Sequence, residues 1–308
     1  MKANSGPFRV AAVQATPVFL DREATIEKGC ALIAQAGAEG ARLIAFPEVW
    51  VAGYPVWLDN APGAALWEHP PAKRAFARLV ASAVTVPGPE TARLGAAART
   101  AGAYVVMGVH ELGGGTLYCS LLYFGPDGAL LGVHRKLLPT YQERMLWGQG
   151  DGGGLIVLDT PLGRLGGLCC WEHWMPLARQ ALHERGETLH VAAWPSVHEM
   201  HQVASRSYAF EGRAFVVATG TVLRRCDLPD GLELLRAIPG EPGDFLQRGG
   251  SAIIGPDGLY LAGPVWEEET IVYADVDPER AVEERLTLDV AGHYSRPDIF
   301  QFRVNRGA

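Results

Sequence analysis

The chain has 308 residues, 48% of them hydrophobic and 20% charged, with a formal net charge of −7. That length supports one large α/β unit with a substantial buried core, and the acidic balance excludes a nucleic-acid binder, because no basic field is there to neutralise phosphates. No apolar run reaches the roughly 18 residues of a membrane span, the amino terminus is too weakly apolar for a secretory leader, and five scattered cysteines suit a reducing cytoplasm better than a disulfide framework.

In chain order, FRVAAVQA reads as the first strand, and residues 22–41 read as a helix with apolar positions at Ile26, Cys30, Ile33 and Ala34. RLIAF is a short buried strand that runs into Pro47 and Glu48. Residues 59–71, rich in Gly and Pro, read as a long surface loop. ETARLGAAARTAG is a helix and AYVVMGVHE the strand behind it. LLYFGPDGALLGVHRK predicts a hairpin about the turn Gly125–Gly128, its second strand ending at Lys136. RLGGLCC is a strand that meets the helix MPLARQALHERG, with Pro176 near the first turn. LHVAAW and FVVATGTV are strands on either side of the helix VASRSYAFEGRA. Residues 226–249 read as a second surface loop, and SAIIGPDGLYLAGPV repeats the hairpin about Gly255–Gly258. Strand–helix units with one antiparallel hairpin in each half predict two packed sheets with helices outside, forming one domain over residues 1–308.

Ligands of open α/β sheets bind beyond the carboxyl ends of strands. The residues at those ends are Glu48, Lys136, the pair Cys169 and Cys170, and Trp194-Pro195-Ser196. Each alone has an ordinary explanation: a solvated acid, a surface amine, a small buried hydrophobe. Together they supply a base, a cation and a thiol. A thiol needs a neighbouring base or cation, or a helix amino terminus, to become a nucleophile. The strand-to-helix junction at Cys170 is expected to place the helix dipole on its anion. Other uses of the pair are poorer, since adjacent cysteines form no easy disulfide, Cys-x-x-Cys is absent, and no second ligand pair stands at zinc spacing. No metal or cofactor is therefore expected. Side chains alternate along a strand, so only one of the two cysteines can face a pocket; the alternation does not say which.

The motifs FPEVWVAGYP, HRKLLPTYQERMLWGQGDG, GGLCCWEHWMPLARQ, WPSVHEMHQVASRSYAFEGRAFVVATG and GHYSRPDIF stand in this order. With them the chain resembles the nitrilases of the carbon–nitrogen hydrolase superfamily over about residues 8 to 300. The resemblance implies an α/β fold, a four-layer α-β-β-α sandwich of two mixed sheets flanked by helices. It makes Cys170, the cysteine directly before Trp-Glu, the nucleophile, Glu48 the general base and Lys136 the electrostatic stabiliser. Glu143 matches the family's second glutamate; by itself it reads as a surface charge. The N–H of Trp171 is implied as a second oxyanion donor, and Tyr54, Trp57, Trp194 and His173 as pocket residues. Trp57 and Trp67, on segment 54–70, are expected to narrow the pocket. His134, Glu172 and His173 suit structural roles better than direct chemistry.

The implied reaction converts an organic nitrile and two waters to a carboxylic acid and ammonia through a thioimidate and a thioester. A cyanide dihydratase or an aliphatic amidase would use the same residues. The implied partner is a small-molecule nitrile, and the implied assembly a homodimer or higher homo-oligomer. The long carboxyl tail of many nitrilases does not follow GHYSRPDIF here, so a small oligomer is expected rather than a filament.

Overall fold

The computed structural model describes residues 6–306; positions 1–5 and 307–308 of the expected domain lie outside the described residues. The first half runs β1 (Phe8–Gln14), α1 (Arg22–Ala38), β2 (Ala41–Ala45), α2 (Trp57–Asn60), α3 (Pro70–Ala81), α4 (Pro89–Ala101), β3 (Tyr104–Gly113), β4 (Thr116–Phe124) and β5 (Leu130–Arg135). The second runs β6 (Leu158–Thr160), β7 (Gly163–Cys169), α5 (Pro176–His183), β8 (Leu189–Ala193), α6 (Glu199–Gly212), β9 (Phe215–Thr219), β10 (Val222–Arg224), α7 (Glu233–Arg236), β11 (Phe245–Ile254), β12 (Tyr260–Trp266), β13 (Thr270–Val276) and α8 (Pro278–Glu284). One sheet has the order β13-β1-β2-β3-β4-β5 and the other β10-β11-β9-β8-β7-β6, with β12 on β11. Both are mixed: β1-β2-β3 and β7-β8-β9 are parallel, and the hairpin strands add antiparallel edges.

The strand sequences are apolar on both phases because both faces are covered. Val10, Ala12, Leu43, Val106 and Leu121 meet Leu165, Val191, Phe215 and Ile253 between the sheets. The opposite phase of the first sheet, including Ala11, Val13, Ile44 and Met107, packs with Ile26, Ile33, Leu94 and Ala98 of α1 and α4. Leu168, Ala192, Val216 and Ala218 of the second sheet pack with Ala181, Leu182, Ala204 and Tyr208 of α5 and α6. This is the expected four-layer α-β-β-α sandwich.

Both hairpin turns close alike. Gly128 N–H donates to Gly125 O and Gly258 N–H to Gly255 O, each at 2.9 Å, with Gly128 and Gly258 at φ +86° and +76°, where an L side chain is disfavoured. The reading of α1 needs correction: Ala34 is exposed and Cys30 only half-buried, while Gly29 and Ala36 join Ile26 and Ile33 in the buried stripe. A Cβ on Gly29 would stand 3.1 Å from the Trp50 ring, so the helix packs through a residue that apolar counting does not register. The second proposed surface loop is also partly core. Residues 226–249 hold α7 and the start of β11, and Leu234, Leu235 and Ile238 are buried in the cluster between the sheets. In the first, α2 and α3 leave 61–69 as turns. No helix among the described residues is long and apolar enough to cross a membrane.

Candidate active site

The ends of β2, β5 and β7 bring Glu48, Lys136 and Cys170 together, with Glu143 from the 3-10 turn Tyr141–Met145. Lys136 Nζ is completely buried and donates to Glu48 Oε1 at 2.8 Å and to Glu143 Oε2 at 2.6 Å. A carboxylate oxygen of each glutamate and the Cys170 Sγ lie within 4.8 Å of one another. Those three donors could surround a cation, and the Lys136 ammonium, bonded to both carboxylates, supplies one. Glu48 Oε1 also accepts from Cys119 Sγ at 3.2 Å, whereas its Oε2 has no partner among the described residues. Glu143 Oε2 accepts in addition from the Thr140 N–H at 2.6 Å, and its Oε1 from Tyr54 Oη at 3.0 Å.

Burial dominates the protonation of this cluster. It raises Glu48 to about 7 against the pull of Lys136. Burial alone would lower the Lys136 ammonium, but Glu48, Cys170 and Glu143 outweigh it and hold it well above its ordinary value. Burial followed by Glu48 pushes the Cys170 thiol well up, with Lys136 and the Trp171 N–H opposing. The resting sulfur is therefore a thiol. The expected dipole activation fails for a geometric reason: Cys170 opens a 3-10 turn, Cys170–Trp174, and α5 starts only at Pro176. Alternation along β7 sends Cys169 into the core between the sheets and leaves Cys170 on the cavity wall.

The backbone around these groups is held in an uncommon conformation. Cys170 has φ +47°, Val49 beside Glu48 has +41°, Ala52 near Tyr54 has +73°, and Tyr141 near Glu143 has +46°. Such non-glycine residues in the left-handed region persist only where the surroundings over-determine them. Glu172 is one such restraint. Its carboxylate accepts from the N–H of Cys169 at 2.7 Å, the N–H of Leu137 at 2.8 Å and His134 Nε2 at 2.9 Å. The residue before Cys170 and the residue after Lys136 are thus tied to one carboxylate. His134 Nδ1 faces Gly154 O at 2.9 Å. With an acceptor at each nitrogen the ring carries both protons, and Glu172 raises it despite burial. Removing this buried partner by Glu172→Ala is expected to cost about 3–5 kcal/mol. Urea denaturation measures it, and a wild-type midpoint with unchanged slope would refute the restraint.

A cavity of about 570 Å³ opens over Cys170. Tyr54, Trp171 and Glu143 line it, together with Asp59, Asn60, Gln142, His198, His201 and Gln247, which the sequence reading did not single out. Three expected pocket residues do not line it. The Trp57 ring is buried edge-on against Phe19 at 6.1 Å. Trp194 is sandwiched between the rings of His173 and His201, at 4.7 and 4.3 Å, and contributes its carbonyl to the Glu48 N–H at 3.3 Å. His173 is buried beneath Cys170: its Nδ1 meets Cys170 O at 2.6 Å and its Nε2 meets His190 Nε2 at 2.9 Å. Trp67, expected to narrow the pocket, is 92% exposed and is not among the lining residues. Trp194 and His173 follow strand ends, Trp57 opens α2 and Trp67 lies in the turns of 61–69; chain position alone does not tell a wall from the support behind it or from an exposed ring. Segment 54–70 instead reaches the cavity through Tyr54, Val56, Asp59 and Asn60. Two signals were available in the sequence but unused: Thr140-x-x-Glu143 has the spacing of a capping box, and Cys119 stands on the strand paired with the one that ends at Lys136.

Residues 9–285 match the family described as Carbon-nitrogen hydrolase. The chain is 44% identical over 303 residues to a protein named aliphatic nitrilase from Sinorhizobium fredii (strain HH103), covering 97% of this chain and 96% of that one. It is 42% identical over 316 residues to a protein named nitrilase from Pseudomonas syringae pv. syringae (strain B728a), covering 97% and 90%. Among solved structures, Saccharomyces cerevisiae Nit3, described as a member of branch 10 of the nitrilase superfamily, superposes with a TM-score of 0.72 at 19% identity over 96% of this chain and 99% of that one. At that identity the likeness concerns the fold.

Proposed function

The chain belongs to the carbon–nitrogen hydrolase family, and from that premise we propose that it is a nitrilase, converting an organic nitrile and two waters to a carboxylic acid and ammonia. The observation that carries the reading is the unengaged Oε2 of buried Glu48, in a carboxylate within 4.8 Å of the Cys170 sulfur and joined through Oε1 to Lys136. A nitrile carbon is electrophilic but has no leaving group, so the first step must be an addition. Glu48 takes the thiol proton as sulfur bonds to carbon, and the proton is passed to nitrogen, giving a thioimidate. Water, deprotonated by Glu48, adds to that carbon; ammonia departs with a second proton and leaves a thioester. A second water, activated in the same way, releases the acid and restores the thiol. Lys136, with the N–H of Trp171, stabilises the charge on each tetrahedral species. Glu143 holds the lysine and Tyr54 in place.

The test is ammonia release from aliphatic, arylaliphatic and cyanide substrates, run beside the matching amides. Turnover of an organic nitrile supports the reading; ammonia from amides or cyanide alone overturns it. Because the base must be ionised and burial raises Glu48 to about 7, the acid limb of kcat/KM is expected near pH 7. Below it the rate should fall about tenfold per unit. A limb near pH 4.5, the ordinary glutamate value, would remove Glu48 from the role.

A homodimer is the proposed assembly, supported by the exposed apolar residues Leu177 of α5 and Met200, Val203 and Phe210 of α6. Five free thiols support a reducing, cytoplasmic location.

A further inference from the structure

Beneath Cys170 runs a chain of buried polar side chains that the proposed reaction does not use. Cys170 O faces His173 Nδ1 at 2.6 Å, His173 Nε2 faces His190 Nε2 at 2.9 Å, and His190 Nδ1 faces Glu187 Oε1 at 2.9 Å. Glu187 Oε2 accepts from the Tyr208 hydroxyl. His173, His190, Glu187 and Tyr208 are each at most 1% exposed. Stacking fixes the rings: His173 lies on Trp194 at 4.7 Å and His190 on Tyr208 at 3.7 Å.

The partners give the chain a direction. A carbonyl oxygen only accepts, so His173 Nδ1 carries a proton and donates to Cys170 O. The contacts of His190 with His173 and with Glu187 hold one proton each. Burial favours the arrangement without charge. It raises Glu187 to about 8 and lowers His190 and His173 well below the ordinary histidine value. Glu187 is then an acid that donates to His190 Nδ1, and His190 Nε2 donates to His173. Every donor points toward Cys170.

The carbonyl at the end of the chain belongs to the peptide that supplies the Trp171 N–H. The Cys170–Trp171 bond is trans, and in a trans peptide the C=O and N–H point to opposite sides. A carbonyl held toward His173 therefore sends the Trp171 N–H toward the Cys170 sulfur, on which it acts. Cys170 needs such a hold, because at φ +47° its own backbone preference does not supply it. We infer that Glu187, His190 and His173 are positioning residues that aim the Trp171 N–H at the oxyanion by fixing the Cys170 carbonyl. The inference rests on the nitrilase reading and adds to it what orients the second donor. A donor that meets developing charge acts on the transition state and not on ground-state binding. Its misalignment therefore appears in kcat and leaves KM in place.

The experiment compares the wild type with His173→Asn and His173→Leu on an organic nitrile that the wild type turns over. Asparagine puts an amide nitrogen close to where Nδ1 stood, so a donor to Cys170 O is kept; leucine has none. Both variants lose the stack on Trp194 and the link to His190, so a purely structural role lowers the two alike. kcat is expected to fall about 10²-fold in His173→Leu, the scale of one oxyanion donor, and less than about tenfold in His173→Asn. KM should stay within about twofold of wild type in both. Equal losses in the two variants, or losses carried by KM, overturn the inference. If His173→Leu does not fold, a folded His173→Asn that loses about 10²-fold overturns it, and one that keeps most of its kcat supports it. Nitrogen-15 NMR of the histidine-labelled wild type reads the chain directly, with His173→Asn and His190→Gln assigning the signals. Neutral rings are expected, with the proton on Nδ1 of His173 and on Nε2 of His190; a charged ring at either position, or a bare Nδ1 in His173, overturns the inference. All these outcomes leave the nitrilase reading intact, whereas no ammonia from the wild type with any organic nitrile overturns both.

Discussion

Cys170→Ala is expected to lower ammonia release from a nitrile by about 10⁴-fold or more while the protein stays folded. The size follows from the reaction. A nitrile has no leaving group, so every later step depends on the covalent bond to sulfur, and no other thiol lines the cavity. Cys169 cannot substitute, because it faces the core between the sheets. Alanine keeps the Cβ and therefore the backbone demands at φ +47°; only the sulfur is lost, next to a cavity already open. Unfolding by urea should stay within about 1 kcal/mol of wild type, as for replacements that break no buried pair. Glu48, Lys136 and Glu143 remain, but without the nucleophile they act on nothing, as when one member of a catalytic unit is deleted. Turnover within about a hundredfold of wild type would end the covalent mechanism.

Lys136→Met carries the second large effect, and it acts on activity and stability together. Methionine has a similar length and no charge. Its introduction leaves Glu48 and Glu143 buried, with one former partner between them. Stability should fall by about 3–5 kcal/mol, the cost of stranding a buried charge. kcat/KM should fall by about 10²–10³-fold through loss of the oxyanion donor.

The pH dependence of that variant has a definite sign. Glu48 is already raised to about 7 by burial, against the opposing pull of Lys136. Without the lysine that opposing pull is gone and Glu48 rises further. A carboxyl raised in the folded state stabilises the fold at low pH and loses that contribution as pH climbs through the folded value. The deficit of the variant relative to wild type should therefore be largest above pH 7 and shrink toward pH 5. A deficit that grows on acidification would show that the lysine is not the partner of these acids.

The two turns Gly-Pro-Asp-Gly and the strand ends at Glu48, Lys136 and Cys170 were legible because each depends on neighbours in the chain. Turn chemistry, alternation and element boundaries are local properties. Glu143 was placed in the site only through the resemblance, since the capping-box spacing from Thr140 gives no hint of burial beside Lys136. Its place depends on Lys136, Tyr54 and the Thr140 N–H, contributed from separate segments. Trp57, Trp194 and His173 were misplaced because a ring behind the cavity wall and a ring on it have the same local sequence.

The amino-acid sequence by itself thus determined the layered α/β architecture, the hairpin in each half and the three strand ends that carry an acid, an amine and a thiol. Periodicity, turn propensity and apolar runs act over a few residues and need no partner. Only the tertiary structure decided that Glu172 ties Cys169 to the lysine strand, that burial pushes the Cys170 thiol up, and that Trp57, Trp194 and His173 stand behind the cavity wall. Those properties come from burial and from charges brought close by chain segments far apart in sequence, and both exist only once the sheets have packed.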